Sequence, residues 1–179
     1  MKHVMLDLET MGNGNRAAIV AIGACEFNPI GSGVDSGQFY RRVALKSSVD
    51  AGLIMDTDTV LWWLKQSYAA RVDTFEGGGV PLDYALVEFT HWIGLVDKDP
   101  AVWGNGATFD NVIIRSAFAA YGFNTPWSFR NDKCYRTVAN LLPASRCPVF
   151  EHSGTAHNAL DDAITQALYL QRVYKELGL

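Results

Sequence analysis

Hydrophobic positions along this chain follow two periods in turn. Residues 3–8 form a short, mostly apolar stretch suited to a buried strand, and residues 17–27, rich in Ile, Val and Ala, form a second. The run Met11-Gly12-Asn13-Gly14-Asn15 between them reads as a hairpin-like connection, and Asn28-Pro29-Ile30-Gly31-Ser32-Gly33 punctuates the chain again. Residues 38–43 read as a third strand, completing an antiparallel meander. The period then lengthens. Residues 58–66 have helical spacing, with Asp56, Thr57 or Asp58 available as N-cap. Glu76-Gly77-Gly78-Gly79 breaks the chain, and Pro81 opens an amphipathic helix carried by Leu82, Ala85, Leu86, Phe89, Trp92 and Ile93. Ala101-Val102-Trp103 is a short strand ended by Gly104-Asn105-Gly106. Further helices are predicted over 108–121, stopped by Gly122, and over 136–142, ended before Pro143. The longest covers 157–177, with Leu160, Ile164, Ala167, Leu168 and Leu170 as its apolar stripe. Three strands, then helices interleaved with another strand, predict an α/β fold with a mixed central sheet flanked by helices.

Composition narrows the class. A chain of 179 residues, 49% hydrophobic and 19% charged, has the size of one domain and is too apolar for a disordered one. The longest apolar candidate, residues 17–25, contains Gly23 and falls far short of the ~20 residues of a membrane span. Met1-Lys2-His3 runs straight into an apolar strand without a signal-peptide pattern. Cys25, Cys134 and Cys147 are odd in number and lack C-x-x-C spacing, so a reducing, cytoplasmic compartment is expected. Fifteen Lys and Arg against nineteen Asp and Glu disfavour binding nucleic acid through a bulk positive field. That balance leaves room for an enzyme that grips a few phosphates locally. Clustered carboxylates are also how proteins hold hard divalent cations.

Three constellations carry candidate chemistry. Asp7 and Glu9 alternate with Leu8 at the end of the first strand, so both carboxylates point to one face. Two such groups at the end of a buried strand repel unless a cation or proton lies between them. Asp110 follows the glycine-rich turn at 104–106, in the first turn of a helix whose dipole favours a carboxylate. His157-Asn158-Ala159-Leu160-Asp161-Asp162 opens the last helix after a stretch, 151–156, that reads as exposed and mobile. Asp161 and Asp162 point about 100° apart, so at most one is expected to share a given metal. Each feature alone has a plain structural reading: a solvated strand end, a dipole-satisfying acid, or an Asn158 N-cap beside an idle histidine.

Taken in order, Asp-x-Glu, Phe-Asp and His-x-Ala-x-x-Asp resemble the signature of DEDDh-type 3′–5′ exonucleases, spanning residues 7 to 162. Asp7, Glu9, Asp110, His157 and Asp162 match the five catalytic positions. Asp-Leu-Glu-Thr-Met-Gly, Val60-Leu61-Trp62-Trp63, Trp103-Gly104-Asn105-Gly106 and Cys134-Tyr135-Arg136-Thr137 look like a phage and bacterial branch. That branch includes exodeoxyribonuclease VIII-like proteins and a mycobacterial 3′–5′ exoribonuclease. Asn105 departs from the commoner pattern by one residue in its distance from Asp110.

The resemblance implies an RNase H-like fold and a single exonuclease domain over 1–179. It implies two Mg²⁺ or Mn²⁺ ions held by Asp7, Glu9 and Asp162, with Asp110 contributing directly or through water. His157 would act as general base, and nucleoside 5′-monophosphates would leave from the 3′ end of single-stranded or 3′-overhanging RNA or DNA. His157 suits that role because an unperturbed imidazole titrates at ~6.5, near working pH. Thr10, Met11, Trp62, Trp63 and Asn105 are the candidate substrate contacts, Met11 as an apolar wedge against the terminal base. Arg115, Arg130, Lys133 and Arg136 are candidate phosphate contacts. Many relatives are homodimers, and Trp92, Phe118 and Trp127 are candidate interface positions. Two alternatives stay open: a phosphodiesterase acting on very short oligonucleotides, and a catalytically silent nucleic-acid- or protein-binding module.

Overall fold

The computed structural model describes residues 1–147 and 151–179. Its centre is a five-stranded sheet of order β3-β2-β1-β4-β5. Strands β1 (His3–Thr10), β2 (Ile19–Phe27) and β3 (Val34–Arg42) form the antiparallel meander. β4 (Ala101–Gly104) joins β1 in parallel, and β5 (Asp132–Cys134) joins β4 in parallel. The mixed sheet is as predicted, and β1, at its centre, runs two residues further than expected, through Glu9 and Thr10.

The pleat of β1 sorts its side chains to two faces. Val4, Leu6 and Leu8 belong to the larger core, with Leu82, Leu86, Phe89 and Ile93 of α4 (Leu82–Val96) and Ile113, Ile114 and Phe118 of α5 (Asp110–Ala120). Met5 lies on the opposite face with Cys25, Phe27 and Trp103, under Ala163, Ala167 and Leu170 of α7 (Ala159–Leu177). Asp7 and Glu9 continue that second face. The α7 stripe differs from the prediction: Ala159, Ala163 and Ala167 are fully buried, whereas Leu160 and Leu168 are half-buried. Gly23, paired with Asp7 across β1 and β2, explains the difference. A Cβ there would lie 2.1 Å from the carbonyl carbon of Ala159, so the helix rests on bare backbone and only small residues fit beneath it.

Three elements escape the sequence pattern: α1 (Leu45–Asp50), α3 (Tyr68–Phe75) and β5. Other elements start or stop differently, among them β3, which begins at Val34 rather than 38, and α7, which begins at Ala159 rather than 157. Helix α2 (Thr57–Trp63) is capped by Asp56, whose carboxylate accepts from the Thr59 amide, and ends before Gln66. Helix α5 starts at Asp110 rather than 108, and α6 (Tyr135–Ala139) stops short of 142. Phe118 and Trp127 are buried in the core and Trp92 stacks on Phe89, so Phe118 and Trp127 are not surface positions for a partner. Among the described residues no helix is long and apolar enough to cross a membrane. All three cysteines are free.

Candidate active site

The site is built where the C-terminal end of β1 meets the N-terminal ends of α5 and α7. Asn158 caps α7 by accepting from the amides of Leu160 and Asp161, which turns Asp162 towards the sheet. The neighbouring acid goes elsewhere. Asp161 accepts from the Thr155 amide at 2.7 Å and organises the turn at Gly154, so only Asp162 reaches the site. Potential ligand atoms of Glu9, His157 and Asp162 all lie within 4.8 Å of one another. Asp7 keeps partial exposure on the same sheet face, and Asp110 is buried at the start of α5.

Burial, and at Asp7 and Glu9 the neighbouring acids, disfavour the ionised carboxylates here. Burial first, then the charges of Asp110, Glu9 and Asp162, push Asp7 well above the usual carboxylate range, while a hydrogen bond from Gln166 opposes the rise. Burial, with Asp162, Asp110 and Asp73 nearby, raises Glu9 to about 8. Burial raises Asp110 to about 7, held back by the amides of Leu8 and Asn105 and by the Arg136 charge. Asp110 Oδ2 is buried without a hydrogen-bond partner. Facing carboxylates, an orphaned carboxylate oxygen and an adjacent imidazole form an oxygen-rich donor set of the kind that suits a hard divalent cation.

His157 sits at the edge of this cluster with φ +66°, a left-handed conformation uncommon for a residue with a side chain. Its amide donates to Asp162 Oδ2 at 3.2 Å, and its carbonyl accepts from Thr74 Oγ1 at 3.4 Å. Asn158 Nδ2 donates to Asp73. Helix α3 thus holds His157 and Asn158 at the entrance to α7. The imidazole stands edge-on to Trp62, centroids 4.9 Å apart, with Trp63 at 6.2 Å.

The two tryptophans divide as adjacent helical residues must. Trp63 is 3% exposed and donates its Nε1 to the Thr10 carbonyl, whereas Trp62 is 41% exposed. Trp62 lines a cleft with Leu8, Glu9, Thr10, Asn13, Thr59 and Phe109. Thr10 is on that lining, although its hydroxyl donates to the Gly12 carbonyl at 2.8 Å. Met11 is 6% exposed within the core, which corrects its reading as an exposed wedge.

Asn105 accepts from Arg136 through its carbonyl, at 2.7 Å, and sends its amide towards Asp110. Arg115 is committed to Asp132 at 2.9 Å, part of a knot with Asn111 and Trp127 that anchors β5, so its charge is spent on structure. Arg130 lies over the Phe129 ring, and Lys133 reaches the Arg130 carbonyl.

Three residues near the site had no place in the sequence reading. Gln166 donates to Asp7, and its i+4 spacing from Asp162 is the signal that would have found it. His152 Nε2 contacts Asp162 Oδ1, and Asp73 faces Glu9 and Asn158. Neither contact has a local sequence signal.

A family model, the Rv2179c-like 3′–5′ exoribonuclease domain, matches residues 2–174. The chain belongs to that family. A sequence comparison with curated proteins finds no match. In structure the chain is similar to the nuclease domain of 3′hExo, a DEDDh family member bound to rAMP, with TM-score 0.65, 12% identity, and coverage of 97% of this chain and 92% of that one. It is also similar to E. coli exonuclease I in complex with a dA16 oligonucleotide, with TM-score 0.61, 14% identity, and coverage of 97% and 41%. Cell-death related nuclease 4 gives TM-score 0.54 at 14% identity, covering 99% and 64%. The chain therefore spans under half of exonuclease I, and at these identities the likeness is one of fold. By family the chain is an Rv2179c-like 3′–5′ exoribonuclease domain, and its fold is the RNase H-like one of the DEDDh nuclease it is similar to.

Proposed function

We propose that this chain removes nucleotides one at a time from the 3′ end of single-stranded or 3′-overhanging RNA, releasing nucleoside 5′-monophosphates. The observation that carries the reading is the convergence of Glu9, His157 and Asp162 ligand atoms within 4.8 Å, on the sheet face that also bears Asp7 and beside the buried Asp110. The preference for RNA over DNA follows the exoribonuclease description of the family.

Asp7, Glu9, Asp110 and Asp162 would hold a pair of Mg²⁺ or Mn²⁺ ions: burial disfavours charge on Asp7, Glu9 and Asp110, and neighbouring acids add to this at Asp7 and Glu9, so a cation among them is favoured. When bound, such ions supply Lewis acidity that lowers the pKa of a water and stabilises the departing 3′ oxygen. The chain's own residues supply the rest. His157 accepts the proton of the attacking water, its ring orientation fixed by the edges of Trp62 and Trp63 and its backbone by Thr74 and Asp162. The exposed Trp62 face, with Leu8 and Phe109, receives the terminal nucleotide by stacking, which is indifferent to base identity. Asn105, behind Asp110, acts on its orientation.

Digestion of a 5′-labelled single-stranded RNA and its DNA counterpart in Mg²⁺, with an EDTA control, tests the proposal. A ladder shortening from the 3′ end, faster for RNA and absent in EDTA, is expected. No shortening of either strand, in Mg²⁺ or Mn²⁺, would overturn the catalytic reading.

A further inference from the structure

Helix α3 carries two exposed aromatic residues on the side away from its small buried ones. Its buried positions are Ala70 and Thr74, while Tyr68, Arg71, Val72 and Phe75, spaced i, i+3, i+4 and i+7, run along one face on which Tyr68 and Phe75 are exposed and Arg71 and Val72 half-buried. Tyr68 is 74% exposed and Phe75 37%. These four residues, with Glu76 at the rim, line a shallow, open depression of about 360 Å³, the α3 cleft.

The cleft is joined to the active site through aromatic rings. His157 meets Trp62 at 4.9 Å, Trp62 meets Trp63 at 5.1 Å, and Trp63 meets Phe75 at 5.0 Å. Phe75 is the inner wall of the cleft and Tyr68 belongs to its outer part. A cation is interleaved with these rings. Among the described residues the Arg71 side chain makes no hydrogen bond or ion pair, and its Nε is buried without a partner. Rings at the surface alternating with an uncommitted guanidinium match unpaired nucleobases and the phosphates between them. A purely apolar protein partner would leave Arg71 unanswered.

We infer that the α3 cleft is a second nucleotide subsite, taking a base of the single strand upstream of the 3′ end between Tyr68 and Phe75 and a bridging phosphate on Arg71. The inference rests on the exonuclease reading and deepens it, because it makes efficient cleavage depend on strand length. A dinucleotide reaches only the acids and Trp62. Longer strands extend to α3 and are held there.

Tyr68→Ala and Arg71→Gln are the test variants, with Tyr68→Phe as the conservative control. The expected result is a rise in KM of about tenfold for a dodecamer RNA in Tyr68→Ala, the size of one base–aromatic stack, with kcat unchanged and dinucleotide cleavage at the wild-type rate. Tyr68→Phe keeps wild-type behaviour. Arg71→Gln reduces the slope of log affinity against log salt by about 0.7, one phosphate contact on a single strand.

Anisotropy of a 5′-fluorescein dodecamer in EDTA reads the same contacts without turnover, so the subsite stands or falls even if no strand is cleaved. Equal losses on dinucleotide and dodecamer, or unchanged dodecamer affinity in Tyr68→Ala, would overturn it. So would a shift in sedimentation velocity for Tyr68→Ala with RNA affinity intact, which would assign the cleft to a second copy of the chain.

Discussion

Gln166 donates its Nε2 to Asp7 Oδ1 at 2.7 Å, one helical turn beyond Asp162 on α7. The carboxamide orients Asp7 without adding charge to a site that already holds four acids, and it favours the ionised form against burial. Groups that orient a metal ligand in this way are typically worth ~10–100-fold in metal affinity. In Gln166→Leu, calorimetric titration with Mn²⁺ should show weaker binding by about tenfold or more. Cleavage should fall at limiting Mg²⁺ and recover as Mg²⁺ is raised. If binding is unchanged while thermal stability drops, Gln166 is a packing residue only.

Gly23 faces Asp7 across the β1–β2 ladder and lies beneath the first turn of α7. Any Cβ there meets backbone, which cannot swing aside as a flexible side chain would. Gly23→Ala should therefore push α7 off the sheet and carry Asp162 away from Glu9. A loss of about 3 kcal/mol in urea unfolding is expected, at the upper end for overpacking, together with weakened Mn²⁺ binding. A wild-type midpoint would mean that the helix has room to move without harm.

The parts of this architecture legible in the sequence are those fixed by short-range periodicity. Alternation along β1 put Asp7 and Glu9 on one face, and the 3.6-residue period found α4 and α7. Elements held by long-range contacts were invisible. Helix α1 is short, lacks a side-chain cap, and is tied down when Ser48 Oγ donates to the Ile19 carbonyl at 2.7 Å. Polar β5 reads as loop until Asp132 is seen accepting from Asn111, Arg115 and Trp127. The same limit governs the site. Five of its residues follow an ordered motif, but the packing that buries Met11 and exposes Trp62 comes from how α2 docks, and no local pattern encodes it.

Trp62 and Trp63, adjacent in sequence, should give opposite phenotypes. Trp63→Ala removes a buried ring that touches Phe75 and bonds the Thr10 carbonyl, and should cost about 3–5 kcal/mol of stability. Trp62→Ala removes an exposed ring that meets the His157 imidazole and lines the cleft beside Glu9. Its melting temperature should stay close to wild type while kcat/KM falls about tenfold or more, the cost of one lost stack. Thermal denaturation and steady-state cleavage of one RNA, measured on both variants, check the pair. Equal destabilisation of the two would count against a surface role for Trp62.

The crowded acids also set how the metal-free protein responds to pH. Glu9 is raised from an ordinary 4.5 to about 8 and Asp110 from 3.8 to about 7, both chiefly by burial. At acid pH, below the unfolded-state values, folded and unfolded chains hold the same protons on these groups. As pH rises past those values the unfolded chain releases its protons while the folded chain keeps them, so stability declines until the folded groups ionise near 7 and 8. In EDTA the contribution of these two groups should therefore fall from pH 5 to pH 8. Glu9→Gln, which cannot ionise, should flatten part of that decline and be the more stable protein at pH 8. Mg²⁺ binds the ionised acids, so its stabilising effect on the wild type should grow over the same interval, from little at pH 5 to several degrees at pH 8. Melting curves at four pH values, with EDTA and with Mg²⁺, decide it. A Glu9→Gln profile parallel to wild type in EDTA would mean that Glu9 ionises normally in the fold, and the burial and repulsion that support the metal assignment would be absent.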